Sequence, residues 1–177
     1  MDVLEAIRSR RSIRSYTNDV IAEENLERLL EAAQASPIAR GLYEDVHITV
    51  VTKPDVLEKI NRAAAQMMGD PSMVPLYGAP MLIVVSEKKP SPEMQNPMWS
   101  SGACIVENMA LEAVELGVGA VLIWGAIRAV NASEELVKEL QLPDGFVPSC
   151  ALAVGQTEEE YTPRDIPKDR IKTTFLK

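Results

Sequence analysis

Arg8, Arg10, Arg11 and Arg14 place four of the chain's ten arginines inside one stretch, Arg8-Ser9-Arg10-Arg11-Ser12-Ile13-Arg14, although the formal net charge of the protein is -8. Guanidinium groups held this close repel one another unless a counter-charge is brought to them. Arginine forks beside a serine hydroxyl are the donors that suit a phosphate, so the stretch predicts a bound anion. A plainer reading stays open beside it. The cluster follows a short predicted helix, residues 2–9, and the C-terminal end of a helix favours cations without any ligand.

The other reactive residue types narrow the chemistry. The only histidine, His47, lies in Val46-His47-Ile48-Thr49-Val50-Val51, which reads as a strand, so histidine-based triads and most metal sites are not expected. Cys104 and Cys150 sit singly in apolar segments and read as buried thiols of a reduced compartment, not as nucleophiles. Nucleic-acid binding needs a broad basic face, which an acidic chain with one local cluster does not offer. With 177 residues, 46% hydrophobic and 25% charged, the chain fits one ordinary globular domain. Its acidic start, Met1-Asp2-Val3-Leu4-Glu5, and the lack of an apolar run of bilayer length predict no membrane association and a cytoplasmic location.

The elements that must position the arginines follow from periodicity. Asp2 and Glu5 open the first helix. Leu26, Leu29, Leu30 and Ala33 give a helical stripe over residues 22–35 that Ser36-Pro37 ends. A strand at 46–52 is followed by a helix that begins at Pro54 and runs to Gly69. Residues 71–80 read as irregular, Met81 to Val85 as a buried strand, and Lys88 to Pro97 as a polar loop. Residues 98–116 predict a helix apolar on more than one face and therefore central. Ala120 to Trp124 reads as a strand, Asn131 with Glu134 as the cap of a fifth helix, and Val147 to Val154 as the last of four strands. The tail from Gly155 to Lys177 has no apolar period, so it must dock on something to be ordered.

In this order the pieces resemble the FMN-dependent nitroreductase family over essentially the whole chain. The similarity rests on Arg10-Arg11-Ser12-Ile13-Arg14 as the family's R-R-S-x-R start and on Ala33-Gln34-Ala35-Ser36-Pro37. It continues through Glu107-Asn108, Leu116-Gly117-Val118-Gly119 and the strand into Trp124-Gly125, and ends on Lys168-Asp169-Arg170 as its late K-x-R. The resemblance implies an α+β fold with a central mixed or antiparallel sheet surrounded by helices, in a single FMN-binding domain over 1–177. It also implies a homodimer in which residues 156–177 dock on the partner subunit. It places Arg10, Arg11, Ser12, Arg14, Lys168 and Arg170 on the phosphate and ribityl chain, and Pro37, Ile123, Trp124 and Gly125 around the ring, with a backbone N–H at Gly125 beside the flavin N5. No catalytic side chain is implied, because the flavin carries the electrons. The chain departs from the family after Pro37, where Ile38-Ala39-Arg40-Gly41-Leu42-Tyr43-Glu44-Asp45 replaces an Asn-Ser-Gln-Pro-Trp type segment, leaving Arg40 and Tyr43 as candidate contacts.

The expected activity is a ping-pong oxidoreductase that takes hydride from NADH or NADPH and reduces a small organic acceptor such as a nitroaromatic or quinone. The segments 69–78 and 88–98, with Met94, Met98 and Trp99, are the expected walls of the acceptor site. The altered loop keeps a second class open, a flavin-binding protein with little turnover in storage, sensing or an accessory role. A third class is an interaction domain whose arginines meet a partner's acidic face.

Overall fold

The computed structural model describes residues 1–17 and 19–177. Four strands, β1 (Val46–Val51), β2 (Met81–Lys88), β3 (Gly119–Ile123) and β4 (Phe146–Gly155), form one sheet in the order β1-β2-β4-β3, with every neighbouring pair antiparallel. Of the two expected arrangements, the antiparallel sheet is therefore the one present. Among the described residues six α-helices surround it: α1 (Val3–Ser9), α2 (Glu23–Gln34), α3 (Pro54–Met67), α4 (Gln95–Leu116), α5 (Gly125–Asn131) and α6 (Glu134–Glu139).

The strand alternation sorts the core into two layers. Met81, Ile83 and Val85 of β2, with Leu152 and Val154 of β4, pack under α2 and α4. Leu82 and Val84, with Ala151 and Ala153, pack under α3, α5 and α6. Both faces of the central strands are therefore covered, and β2 is buried from Met81 through Glu87. In the first of these layers α4 buries Ile105, Val106, Met109, Ala110 and Ala113, as a helix apolar on more than one face requires. It ends at Gly117, whose φ of +66° forms the left-handed cap that glycine adopts without penalty.

Five helices were predicted and six are present. Asn131 is the last residue of α5, not a cap, and its amide donates to the Pro148 carbonyl at 2.8 Å. The cap of α6 is Ser133, whose hydroxyl accepts from the Leu136 N–H at 3.3 Å. Asp2 caps α1 as expected, accepting from the Glu5 N–H at 2.8 Å. Cys150 is buried, with burial pushing its thiol up to about 12, whereas Cys104 is only half-buried. No helix among the described residues is long and apolar enough to cross a membrane.

One charged residue lies in this core. Glu87 is fully buried on the α4 face of β2, and neither carboxyl oxygen has a hydrogen-bond partner among the described residues. It fits because Gly102 on α4 has no side chain, since a Cβ there would sit 2.6 Å from Glu87 Oε1 and 2.8 Å from Ser149 Oγ. Ser149 is the extra residue where the β2–β4 register shifts between Val85 and Ser86. Burial pushes the Glu87 carboxyl from its ordinary 4.5 up to about 7, opposed in part by the nearby Ser149 hydroxyl and Gly102 backbone.

The folded chain thus keeps a proton that the unfolded chain releases. Stability from this group is complete below pH 4.5, falls as pH rises and is lost above about 7, a difference of about 3 kcal/mol. Glu87→Gln cannot titrate. Urea unfolding at pH 5 and pH 8 should show the variant gaining about 2 kcal/mol or more on the native chain at the higher pH, and a gap independent of pH would contradict a protonated Glu87.

Candidate functional site

The arginine-bearing segment is fixed to the sheet by Tyr16. Gly119 and Gly155 face each other across β3 and β4, and the Tyr16 ring lies over the pair. A Cβ on Gly119 would stand 3.0 Å from Tyr16 Cε1, and one on Gly155 would stand 2.9 Å from Tyr16 Cδ1 and 2.6 Å from Pro80 Cδ. The Tyr16 hydroxyl donates to the Ile13 carbonyl at 2.9 Å, with the Ala153 carbonyl a second acceptor at 3.3 Å, and burial holds the phenol far above its ordinary range. Ile13 is fully buried, and its N–H donates to the Ala120 carbonyl at 3.0 Å. The first part of the tail closes over this segment. Thr17 N–H donates to Gln156 O at 2.9 Å, Thr157 Oγ1 to Ser15 O at 2.8 Å, and Tyr161 Oη to Val118 O at 2.9 Å.

Among the described residues two of the four clustered guanidinium groups are paired inside the chain, and Arg8 is engaged only through its backbone. Arg10 pairs with Glu107 at 3.2 Å, and Arg11 pairs with Glu159 at 3.5 Å while donating to the Glu160 carbonyl. The Arg8 carbonyl accepts from the N–H and Nε of Arg164 at 3.2 and 2.9 Å. The carboxylates are partly exposed, so each pair is worth at most about 1 kcal/mol and yields readily to a stronger anion. Ser12 lies half-buried between Arg11 and the anchor at Ile13. Arg14 differs. It is exposed, has no carboxylate within ion-pair distance among the described residues, and stacks over the Tyr77 ring with Cζ 5.4 Å from the centroid.

Tyr77 belongs to a cleft of about 580 Å³ at the end of β3. One wall is Leu122, Ile123, Trp124 and Gly125, where the strand turns into α5; the other is Met68 with Met73, Val74, Pro75, Tyr77 and Gly78. Its size is that of a small-molecule pocket, and most of its lining is apolar. Ile123 is buried behind it, whereas Trp124 is 61% exposed. Gly125 is the first residue of α5, so its N–H has no partner within the helix. The only atom crowding its face is the mobile terminal methyl of Met68, 2.6 Å from where a Cβ would stand. An apolar slot with the Arg14 guanidinium at its side and a backbone N–H without a helical partner at its end has the chemistry a flavin ring needs, and the arginines and serine at 10–12 have the donors a phosphate needs.

The other expected residues lie elsewhere. Pro37 and Arg40 are exposed and do not line the cleft of their own chain. Arg40 has a φ of +60° in the turn Ala39–Gly41, and that turn is fixed to α4 by the Ala39 N–H donating to Ser101 Oγ at 2.9 Å. Tyr43 lines a different cavity, beside His47 and Ile38. Lys168 and Arg170 are exposed in the tail and make no hydrogen bond or ion pair to the residues at 10–14 among the described residues. Of the expected walls, 69–78 borders the cleft, and Trp99 lines a second cavity on the far side of Trp124, with Asn96, Ser100, Ala103, Ser149 and Cys150. Met98, expected in a wall, is buried in the core because α4 begins at Gln95, one turn earlier than its pattern suggests.

Two expected signatures have structural work. Asn108 of α4 donates to Ser36 Oγ at 2.8 Å and so ties the end of α2 to the central helix. Glu107 beside it holds Arg10. Met68, which reads only as an apolar position of the third helix, and Tyr77, which reads only as part of the 69–78 wall, are both in the cleft, and the aromatic-glycine pair Tyr77-Gly78 is a local signal of a turn with left-handed backbone.

Comparison with known proteins agrees with this geometry. A sequence profile described as Nitroreductase family matches residues 7–156. A protein of Methanothermobacter thermautotrophicus, provisionally named NADH dehydrogenase/NAD(P)H nitroreductase, is 32% identical over 97% of this chain and 86% of its own length. The Bacillus subtilis FMN reductase [NAD(P)H] is 29% identical over 99% of this chain and 75% of its own. A crystal structure of a nitroreductase with bound FMN from Bacteroides fragilis superposes with a TM-score of 0.83 at 26% identity, covering 100% of both chains. With the profile spanning most of its length, the chain belongs to the nitroreductase family.

Proposed function

We propose that the protein is an FMN-dependent oxidoreductase that takes hydride from NADH or NADPH and reduces a small organic acceptor, such as a nitroaromatic or quinone, in a ping-pong cycle. The observation that carries this reading is the cleft at Gly125, with Arg14 beside it and the remaining arginines on the same anchored segment. The names of the relatives, FMN reductase and NAD(P)H nitroreductase among them, agree with it.

Bound FMN supplies reversible two-electron chemistry, and the residues of the chain bind and bias it. Arg10, Arg11 and Ser12 meet the phosphate, exchanging weak internal ion pairs for a dianion. Ile123 and Trp124 form the apolar side of the slot, and the Gly125 N–H is a donor at its end. Pro37, Arg40, Lys168 and Arg170 reach the flavin across a homodimer, since they do not line their own cleft. The protein acts in the cytoplasm. A flavoprotein with little turnover is the second reading, favoured by the Ile38 to Asp45 loop, which places neither Arg40 nor Tyr43 in the cleft.

The homodimer rests on unpartnered apolar surface. Val3, Leu4 and Ile7 of α1 are 74, 55 and 48% exposed, and Ile171, Phe175 and Leu176 of the tail are 80, 77 and 97% exposed. The tail is tied to its own chain only as far as Arg164, which leaves 165–177 to dock on the partner within the single domain of 1–177. Such a dimer buries more than about 2,000 Å² and leaves no stable folded monomer.

Three measurements test these readings. Arg10→Ala and Arg14→Ala should each weaken FMN binding by about tenfold, the cost of one charge-assisted contact. Unchanged affinity in both, by quenching of flavin fluorescence, would remove the arginines from the site. Steady-state rates at varied NADH and acceptor should give parallel double-reciprocal lines, and intersecting lines or no turnover would exclude the ping-pong enzyme. For assembly, light scattering at micromolar concentration should give twice the 19.4 kDa chain mass, and deletion of 165–177 should lose both dimer and flavin. A folded, flavin-loaded species at the chain mass would contradict the dimer.

A further inference from the structure

Tyr77 is held in a backbone conformation that its side chain does not favour. Its φ is +57°, and it is followed by Gly78 at +77°. A bulky residue in the left-handed region is an outlier and persists only where its surroundings determine it. Here they do. On one side Leu76 is fully buried, with its N–H donating to Asn61 Oδ1 of α3 at 2.8 Å. On the other, Ala79 is buried and its N–H donates to the Leu76 carbonyl at 3.0 Å. Tyr77 itself is 41% exposed, so burial of its ring does not offset the strain. What the conformation achieves is to put the ring into the wall of the cleft, beneath the Arg14 guanidinium.

The stack also separates Arg14 from its neighbours. Arg10 and Arg11 spend donors on Glu107 and on Glu159 and Glu160. A guanidinium held by the face of a ring spends none, because the attraction comes from the ring quadrupole and leaves the N–H edge free. A long side chain fixed this way meets an anion without first losing its rotamer freedom. We propose that Tyr77 is a positioning residue: its strained turn and ring face hold Arg14 beside the cleft with its donors unspent, ready for the anionic or carbonyl-bearing edge of bound FMN. This rests on the reading of the cleft as the flavin site.

The test is a double-mutant cycle on the apo-protein, titrated with FMN by fluorescence quenching. Tyr77→Phe keeps the ring face and should bind FMN within about twofold of the native chain. Tyr77→Asn removes the ring while tolerating the left-handed backbone, so its thermal midpoint should be equal or higher, yet its affinity should fall about fivefold. In the Arg14→Ala background the same Tyr77→Asn change should alter affinity by less than about twofold, because the residue acts through Arg14. Native affinity in Tyr77→Asn, equal losses in the Phe and Asn variants, or full additivity with Arg14→Ala would each overturn the proposal. A native chain that takes up no FMN would overturn the flavin reading itself, an outcome seen before any variant is measured.

Discussion

The site depends on the absence of two side chains. Gly119 and Gly155 stand opposite each other at the start of β3 and the end of β4, and the space they leave is filled by the Tyr16 ring, whose hydroxyl reaches the Ile13 and Ala153 carbonyls. Through that contact a segment with no regular structure of its own is locked to the sheet, and with it Arg10, Arg11, Ser12 and Arg14. Electrostatic repulsion within the segment would otherwise drive it apart. The packing supplies the geometry, and Glu107 and Glu159 supply a provisional counter-charge that a phosphate can replace. The same strand, β3, ends at Ile123 and delivers Trp124 and Gly125 to the cleft. One edge of one sheet thus holds both the arginine-bearing stretch and the apolar slot.

The α4 face of the sheet has a second task. The α4 helix is too apolar for one covering layer, and α1, which lies against it, leaves Val3, Leu4 and Ile7 open. Glu87 marks how tightly this half is assembled. A carboxyl is accommodated beneath the helix only because Gly102 offers no Cβ and the β4 register slips at Ser149. Burial raises its carboxyl to about 7, so the core carries a titrating group that is uncharged at acid pH and ionises through neutrality.

Much of this was legible in the sequence for a physical reason. Strand β2 and helices α2, α3 and α4 declare themselves by apolar spacing, and the arginine cluster by a local charge that conflicts with the charge of the whole. What was not legible depends on contacts distant in the chain or on backbone angles. Helix α5 was missed because Trp124-Gly125 reads as a turn after a strand, and its apolar residues, Ala126, Ile127, Ala129 and Val130, are too few to set a period. The Tyr77 ring enters the cleft through a positive φ that no pattern of apolar residues encodes. The motifs that carried the family resemblance divide as well: Glu107-Asn108 and Ser36 hold the scaffold together across 72 residues of sequence, whereas Gly125 lines the cleft and Arg14 stacks on Tyr77 in its wall.

The central claim is that this edge binds a flavin and lets it exchange electrons with nicotinamide and with an organic acceptor. The most direct measurement is an anaerobic titration of FMN-loaded protein followed by its visible absorbance. One equivalent of NADH or NADPH per flavin should bleach the bound flavin, and addition of a nitroaromatic or quinone should restore the oxidised spectrum. A flavin that stays oxidised in excess of both nicotinamides, or one that bleaches and is not restored by any such acceptor, would contradict the account.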